Sequence, residues 1–144
     1  MSVAVSASEP ESPSNTTPNT SATAAKMVVL DDLKAMEARD LAAAEACLGP
    51  ELQMIFPGTG PMASLGALID WAKDRYRFVT KTTEAVDAFR SGYRDVVYVR
   101  GTLAGAWPDG TPFAGIRFID RFELQDSTIT RQDVWNDIAE VRGS

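Results

Sequence analysis

The chain reads as an α+β protein, in which a curved antiparallel sheet and N-terminal helices packed over it make a cone around a central pocket. Three observations predict this. Apolar residues recur at helical spacing between Val29 and Leu48, and again from Leu65 to Tyr76. From residue 78 onward the pattern changes to β-rich runs divided by Gly, Pro, Asp and Ser clusters. Those runs approach a dozen residues, and strands of that length twist and curl.

The elements follow in order. Residues 1–26 are mostly Ser, Thr, Pro, Ala and Asn, with little apolar surface to bury, so they read as a disordered tail. Residues 27–144 read as a single domain. Its first helix carries Val29, Leu33, Met36, Leu41, Ala44 and Leu48, with Asp40 placed to cap a second segment. Gly49-Pro50 is read as the helix stop. Residues 51–56 form a short strand with Leu52, Met54 and Phe56 on one face, and a turn fills 57–61. Ser64 caps the next helix, whose stripe is Leu65, Leu68, Ile69, Ala72 and Tyr76. Strands are expected at 78–89, 95–107, 113–124 and 128–141, joined as a meander, with Gly101, Gly105 and Gly115 as bend points.

Composition excludes several functions. The net charge is −6, which repels phosphate backbones, so no nucleic-acid partner is expected. No apolar run approaches a bilayer span, no basic run suggests a membrane surface, and no signal-peptide pattern opens the chain. The expected location is the cytoplasm. The one cysteine, Cys47, reads as a small apolar residue in an alanine-rich helix. Histidine is absent altogether, which removes Ser-His-Asp and Cys-His catalysis and histidine-bound zinc. No metal is expected, and acid–base work falls to Asp, Glu, Tyr, Lys or an activated water.

Strand alternation picks out the candidate site. Asp120 shares a face with Ile116, Phe118 and Phe122, an unusual setting for a carboxylate. An acid in an apolar pocket has a raised pKa and is a useful proton donor. The competing reading is structural, a pair with a pocket arginine or a helix cap. Arg131, Asp133, Trp135 and Asp137 share a face of the last strand. Either Asp133 and Arg131 serve catalysis or they form an ordinary ion pair on the sheet surface, and a β-bulge would decide by exchanging the faces. Tyr98 and Arg100 share a face of the third run and, with Tyr76, complete the polar candidates. Trp71 and Trp107 read as rim packing.

The element order, together with Glu37-Ala-Arg-Asp-Leu41, Phe113-Ala-Gly-Ile-Arg-Phe-Ile-Asp-Arg-Phe-Glu-Leu124 and Ile129-Thr-Arg-Gln-Asp-Val-Trp-Asn-Asp137, resembles the nuclear transport factor 2-like superfamily over residues 27–141. Its small enzymes include ketosteroid isomerase, limonene epoxide hydrolase, scytalone dehydratase and the SnoaL-like polyketide cyclases. The resemblance places Asp120 at the protonated aspartate of the isomerase oxyanion hole and Trp135 at a pocket aromatic. Asp133 falls within one residue of the water-activating aspartate of the epoxide hydrolase. The isomerase base falls on Phe56, and its oxyanion tyrosine falls near Asp32, which argues against steroid isomerisation. The histidines used by scytalone dehydratase and many cyclases have no counterpart.

The resemblance therefore implies a cofactor-free acid–base enzyme of the cyclase, isomerase, dehydratase or hydrolase type. Its ligand would be a small apolar polyketide- or terpenoid-like molecule. Asp120, Asp133 and Arg131 would be catalytic, and Phe56, Tyr76, Tyr98, Arg100, Phe118, Phe122 and Trp135 would bind substrate. The alternative is a non-catalytic ligand-binding or dimerisation domain of the same fold. A homodimer is expected in either case.

Overall fold

The computed structural model describes residues 13–142, with side chains from Ser21 onward. Helix α1 (Pro13–Glu37) begins well inside the stretch expected to be a tail. Residues 1–12 of that stretch lie outside the described residues. The correction has a local cause. Ala22 and Ala25 are good helix formers, and they extend the buried stripe of Val29, Asp32 and Ala35 toward the N-terminus. The Ser21 hydroxyl also donates to both oxygens of Asp95, at 3.0 and 2.8 Å, tying this end of the helix to the sheet.

Arg39, at a left-handed φ of 61°, turns the chain out of α1. Asp40 then caps helix α2 (Leu41–Glu45) by accepting from the Ala43 amide at 3.2 Å, as expected. Strand β1 (Leu48–Ile55) already contains Gly49-Pro50, so the helix ends earlier than the sequence reading placed it. The Cys47 thiol donates to the Ala43 carbonyl at 3.6 Å, half-buried behind α2. Ser64 caps helix α3 (Leu65–Ala72) through the Ala67 amide at 3.2 Å. Tyr76 lies just past the end of α3.

Strands β2 (Phe78–Ser91), β3 (Arg94–Ala106), β4 (Pro112–Gln125) and β5 (Thr128–Asn136) form the expected antiparallel meander. The sheet as a whole is mixed, because β1 joins its edge parallel to β5, giving the order β1-β5-β4-β3-β2. Alternation along β1 shows a strand but carries no information about its partner or direction. The last strand also stops short of the expected residue 141. Asn136 Oδ1 accepts from the Ile138 amide at 3.1 Å, and helix α4 (Ile138–Arg142) follows.

The sheet is curved and unclosed, and β2 and β3 show how the curve is made. Register shifts fall between Thr83 and Ala85 and between Leu103 and Gly105. A Cβ at Gly101 would lie 1.9 Å from the Thr82 carbonyl oxygen, and one at Gly105 would lie 2.1 Å from that of Phe78. Only glycine allows so close an approach. The concave face carries Val97, Val99, Phe118 and Phe122, which pack with Val29, Leu52, Met54 and Leu68 into one core. Burying a side chain such as Phe122 contributes roughly 1.5–3 kcal/mol.

Candidate functional site

The helices do not fill the concave face. A cavity of about 330 Å³ remains between α1, α3 and the sheet. That volume is sufficient for a small organic ligand. Its walls are mainly apolar, with Leu33 and Met36 from α1, Met54 and Phe56 at the end of β1, and Leu65, Leu68 and Ile69 from α3. Polar groups enter at a few points only. Asp32 comes from α1, Lys81 from β2, Gln132 from β5 and Tyr76 from the segment after α3, while Glu37 and Arg39 lie at the end of α1.

Asp32 and Lys81 are the chemically informative pair. Asp32 sits on the buried stripe of α1 and is 3% exposed. Burial pushes its carboxyl up to about 6, the Lys81 ammonium pulls the other way, and the Asp120 carboxylate adds to the rise. Its Oδ1 has no hydrogen-bond partner among the described residues. Lys81 Nζ donates to Asp120 Oδ2 at 2.5 Å and lies 4.9 Å from the Phe118 ring centre. Asp120 is wholly buried, and its Oδ1 is likewise without a partner among the described residues. Tyr76 completes the cluster. Burial raises its hydroxyl pKa, Arg75 and Arg39 lower it, and Asp120 raises it further.

The residues singled out from sequence divide into three groups. Phe56 and Tyr76 line the cavity. Asp120, Phe118 and Phe122 are on the concave face as alternation required, but Phe122 is a core residue and Asp120 is held by an ion pair with Lys81. The partner of Asp120 is thus Lys81 and not the pocket arginine of the competing reading. Arg131, Asp133, Trp135, Tyr98 and Arg100 do not join them. Arg131 grips Asp133 with two hydrogen bonds of 2.9 and 3.1 Å, and Arg121 and Glu123 extend the network on the convex face. Trp135 is 55% exposed opposite Ile119. Tyr98 stacks on Phe89, and Arg100 pairs with Glu84. The cause is register. Asp120 stands opposite Val134, so Gln132 and Val134 point inward and Asp133 points out, with a shift between Glu123 and Leu124.

Sequence reasoning missed Lys81 and Gln132 and gave Asp32 no role. The signals were present. Asp32 lies three residues after Val29 on the apolar stripe, and Lys81 alternates with Val79 on the inner face of β2.

This architecture is the nuclear transport factor 2-like fold, a curved five-stranded sheet with N-terminal helices over its concave face. Among solved structures, a nuclear transport factor 2-like protein of unknown function from Burkholderia pseudomallei is 18% identical and matches with a TM-score of 0.69, covering 82% of this chain and 94% of its own. TerC, co-crystallised with polyporic acid, is 16% identical with a TM-score of 0.69, over 83% of this chain and 96% of its own. A candidate SnoaL-like polyketide cyclase from Jannaschia is 17% identical with a TM-score of 0.66, over 94% and 95%. No family model and no curated protein matches the sequence.

Proposed function

We propose that the cavity is the active site of a cofactor-free acid–base enzyme acting on a small, mostly apolar carbonyl compound of the polyketide or terpenoid kind. The observation that carries this reading is Asp32, a buried carboxyl with a pKa of about 6 on the wall of an apolar cavity, near a fixed ammonium. A base is most useful when its pKa is near the working pH. Ionised Asp32 takes a proton from the carbon beside the carbonyl. The electron pair moves onto the carbonyl oxygen, and the Lys81 ammonium, with the Tyr76 hydroxyl and the Gln132 amide, stabilises the enolate. Neutral Asp32 then returns the proton to a different carbon, which is isomerisation. If the enolate carbon attacks a second carbonyl, the result is cyclisation. Dehydration needs the same first step. Lactone or epoxide hydrolysis also needs a held water, and the cluster fits it less well. TerC, co-crystallised with polyporic acid, supports a small-molecule role for this fold.

A non-catalytic binding or dimerisation domain is the second reading. Exposed Trp135 and Ile119, opposite one another on the convex face, favour a homodimer through that surface.

Hydrogen–deuterium exchange at the carbon beside the carbonyl of small cyclic diketones, followed by NMR, separates the two readings. The wild-type protein is expected to accelerate exchange, and Asp32→Asn to reduce it by roughly 10²–10⁴-fold while still binding. Binding without exchange in the wild type would leave the non-catalytic reading standing.

A further inference from the structure

Eight lysines and arginines among the described residues have a carboxylate within ion-pair distance. Among the described residues, four arginines do not: Arg39, Arg75, Arg77 and Arg142. All four lie together. Arg39 Nη2 donates to the Arg77 carbonyl at 3.4 Å, and Arg142 Nη1 donates to the Arg75 carbonyl at 3.0 Å. Arg77 Nη2 donates to the Pro108 carbonyl at 3.1 Å. Arg75 lies over the Trp71 ring at 4.3 Å and Arg142 over Trp107 at 5.6 Å. Backbone oxygens and aromatic faces hold these cations in place without neutralising them. In a chain of net charge −6, this is a concentration of arginines without ion-pair partners among the described residues.

Two of the four, Arg39 and Arg77, stand where the apolar cavity opens. A second, more open cavity of about 300 Å³ shares Arg39, Ile69, Ala72 and Tyr76 with the first and adds Lys73 and Arg77. None of the nearby carboxylates closes an ion pair with these arginines, although Asp109 feels the charge of Arg77 and Glu37 lines the same cavity as Arg39. Asp70 pairs with Lys73 at 3.6 Å, Asp109 accepts from the Thr111 amide at 2.9 Å, and Glu37 accepts from the Lys81 amide at 3.0 Å.

We propose that this opening is an anion subsite: the ligand carries a carboxylate or phosphate ester that Arg39 and Arg77 hold, while its apolar body lies against Met54, Phe56 and Leu68. This rests on the reading of the cavity as a small-molecule site. Guanidinium groups suit such oxyanions because they offer paired, planar donors. The acidic remainder of the surface repels an anion, so the opening is where the field draws it in.

Calorimetric titration with 4-phenylbutyrate, its methyl ester and 3-phenylpropyl phosphate tests the subsite. The two anions are expected to bind at least about tenfold more tightly than the ester, as charge-assisted hydrogen bonds imply, and added salt should shrink the difference. Arg39→Gln with Arg77→Gln should remove the preference and leave ester affinity unchanged. Lys34→Gln, on the exposed face of α1, should retain it. Circular dichroism checks the fold, and either single variant is expected to lose part of the preference if the double variant fails to fold. Tighter phosphate binding would identify a phosphate ester as the headgroup, and tighter carboxylate binding an acid. An ester that binds as well as the anions, or a double variant that keeps the preference, overturns the subsite and leaves the cavity reading intact. If none of the three binds, both fall.

Discussion

Burial raises the pKa of the Asp32 carboxyl to about 6, and this has two consequences. The first is for activity. Proton abstraction needs the ionised form, so kcat/KM should rise with pH through about 6 and then level off, and Asp32→Asn should lack that limb. The second is for stability. Folding raises the pKa of Asp32 from 3.8 to about 6, so between those values the folded chain holds a proton that the unfolded chain has lost. Stability from this group is therefore fully present below pH 3.8 and is lost as pH rises through about 6. The loss is on the order of 3 kcal/mol. Urea unfolding should show Asp32→Asn gaining on the wild type by up to that amount between pH 4 and pH 7. Lys81 and Asp120 behave oppositely, because each needs the other. Lys81→Met strands a fully buried carboxylate and should cost about 3–5 kcal/mol. Adding Asp120→Asn should recover part of it, so that the double variant costs less than the two singles combined. At this scale the sequence was half legible. An acid among Ile and Phe marked Asp120 at once, since each neighbour two residues away is apolar. Its partner lies 39 residues earlier, on a strand whose alternation is weak. No spacing rule connects the two.

Among the elements, β2 and β3 decide the shape of the cavity, because their bulges and glycines set the curvature on which Lys81 stands. Gly101→Ala would force the two backbones apart at Thr82, next to Lys81. Overpacking costs about 1–3 kcal/mol where side chains can yield. Here the obstacle is a carbonyl, so the upper end of that range or more is expected, read as a lower urea midpoint together with weaker ligand binding. Elements with local signals were recovered from sequence, including Asp40 and Ser64 at their caps and the turns between the meander strands. Elements without them were not. The faces of β5 depend on a register shift against β4, and that shift moved Arg131 and Asp133 from the expected pocket to the convex face. The N-terminal part of α1 was also missed, because its low-hydropathy residues are ordered by packing on the sheet, through Ala22, Ala25 and the Ser21–Asp95 contact, rather than by a strong stripe of their own.

Over the whole molecule, composition gave the acidic balance but not its distribution. Fourteen basic residues scattered along the chain converge unequally, since among the described residues eight enter ion pairs and four arginines cluster, two of them, Arg39 and Arg77, at one opening. Only the assembled fold brings residues 39, 75, 77 and 142 together. The same dependence on the complete chain governs the parallel edge strand. Leu48 stands opposite Ile129, and Ile55 opposite Asp133, so apart from the Met54–Met62 bridge β1 has no strand partner until β5 exists. On a ribosome, β1 emerges long before its parallel partner, which is made only after the rest of the meander. Pairing across so long a stretch of chain is slow. The floor of the cavity, where Met54 meets Gln132, is therefore laid down only when β5 is made. A nascent chain lacking its final strand already carries Asp32, Tyr76, Lys81 and Asp120, yet has no closed site in which to use them.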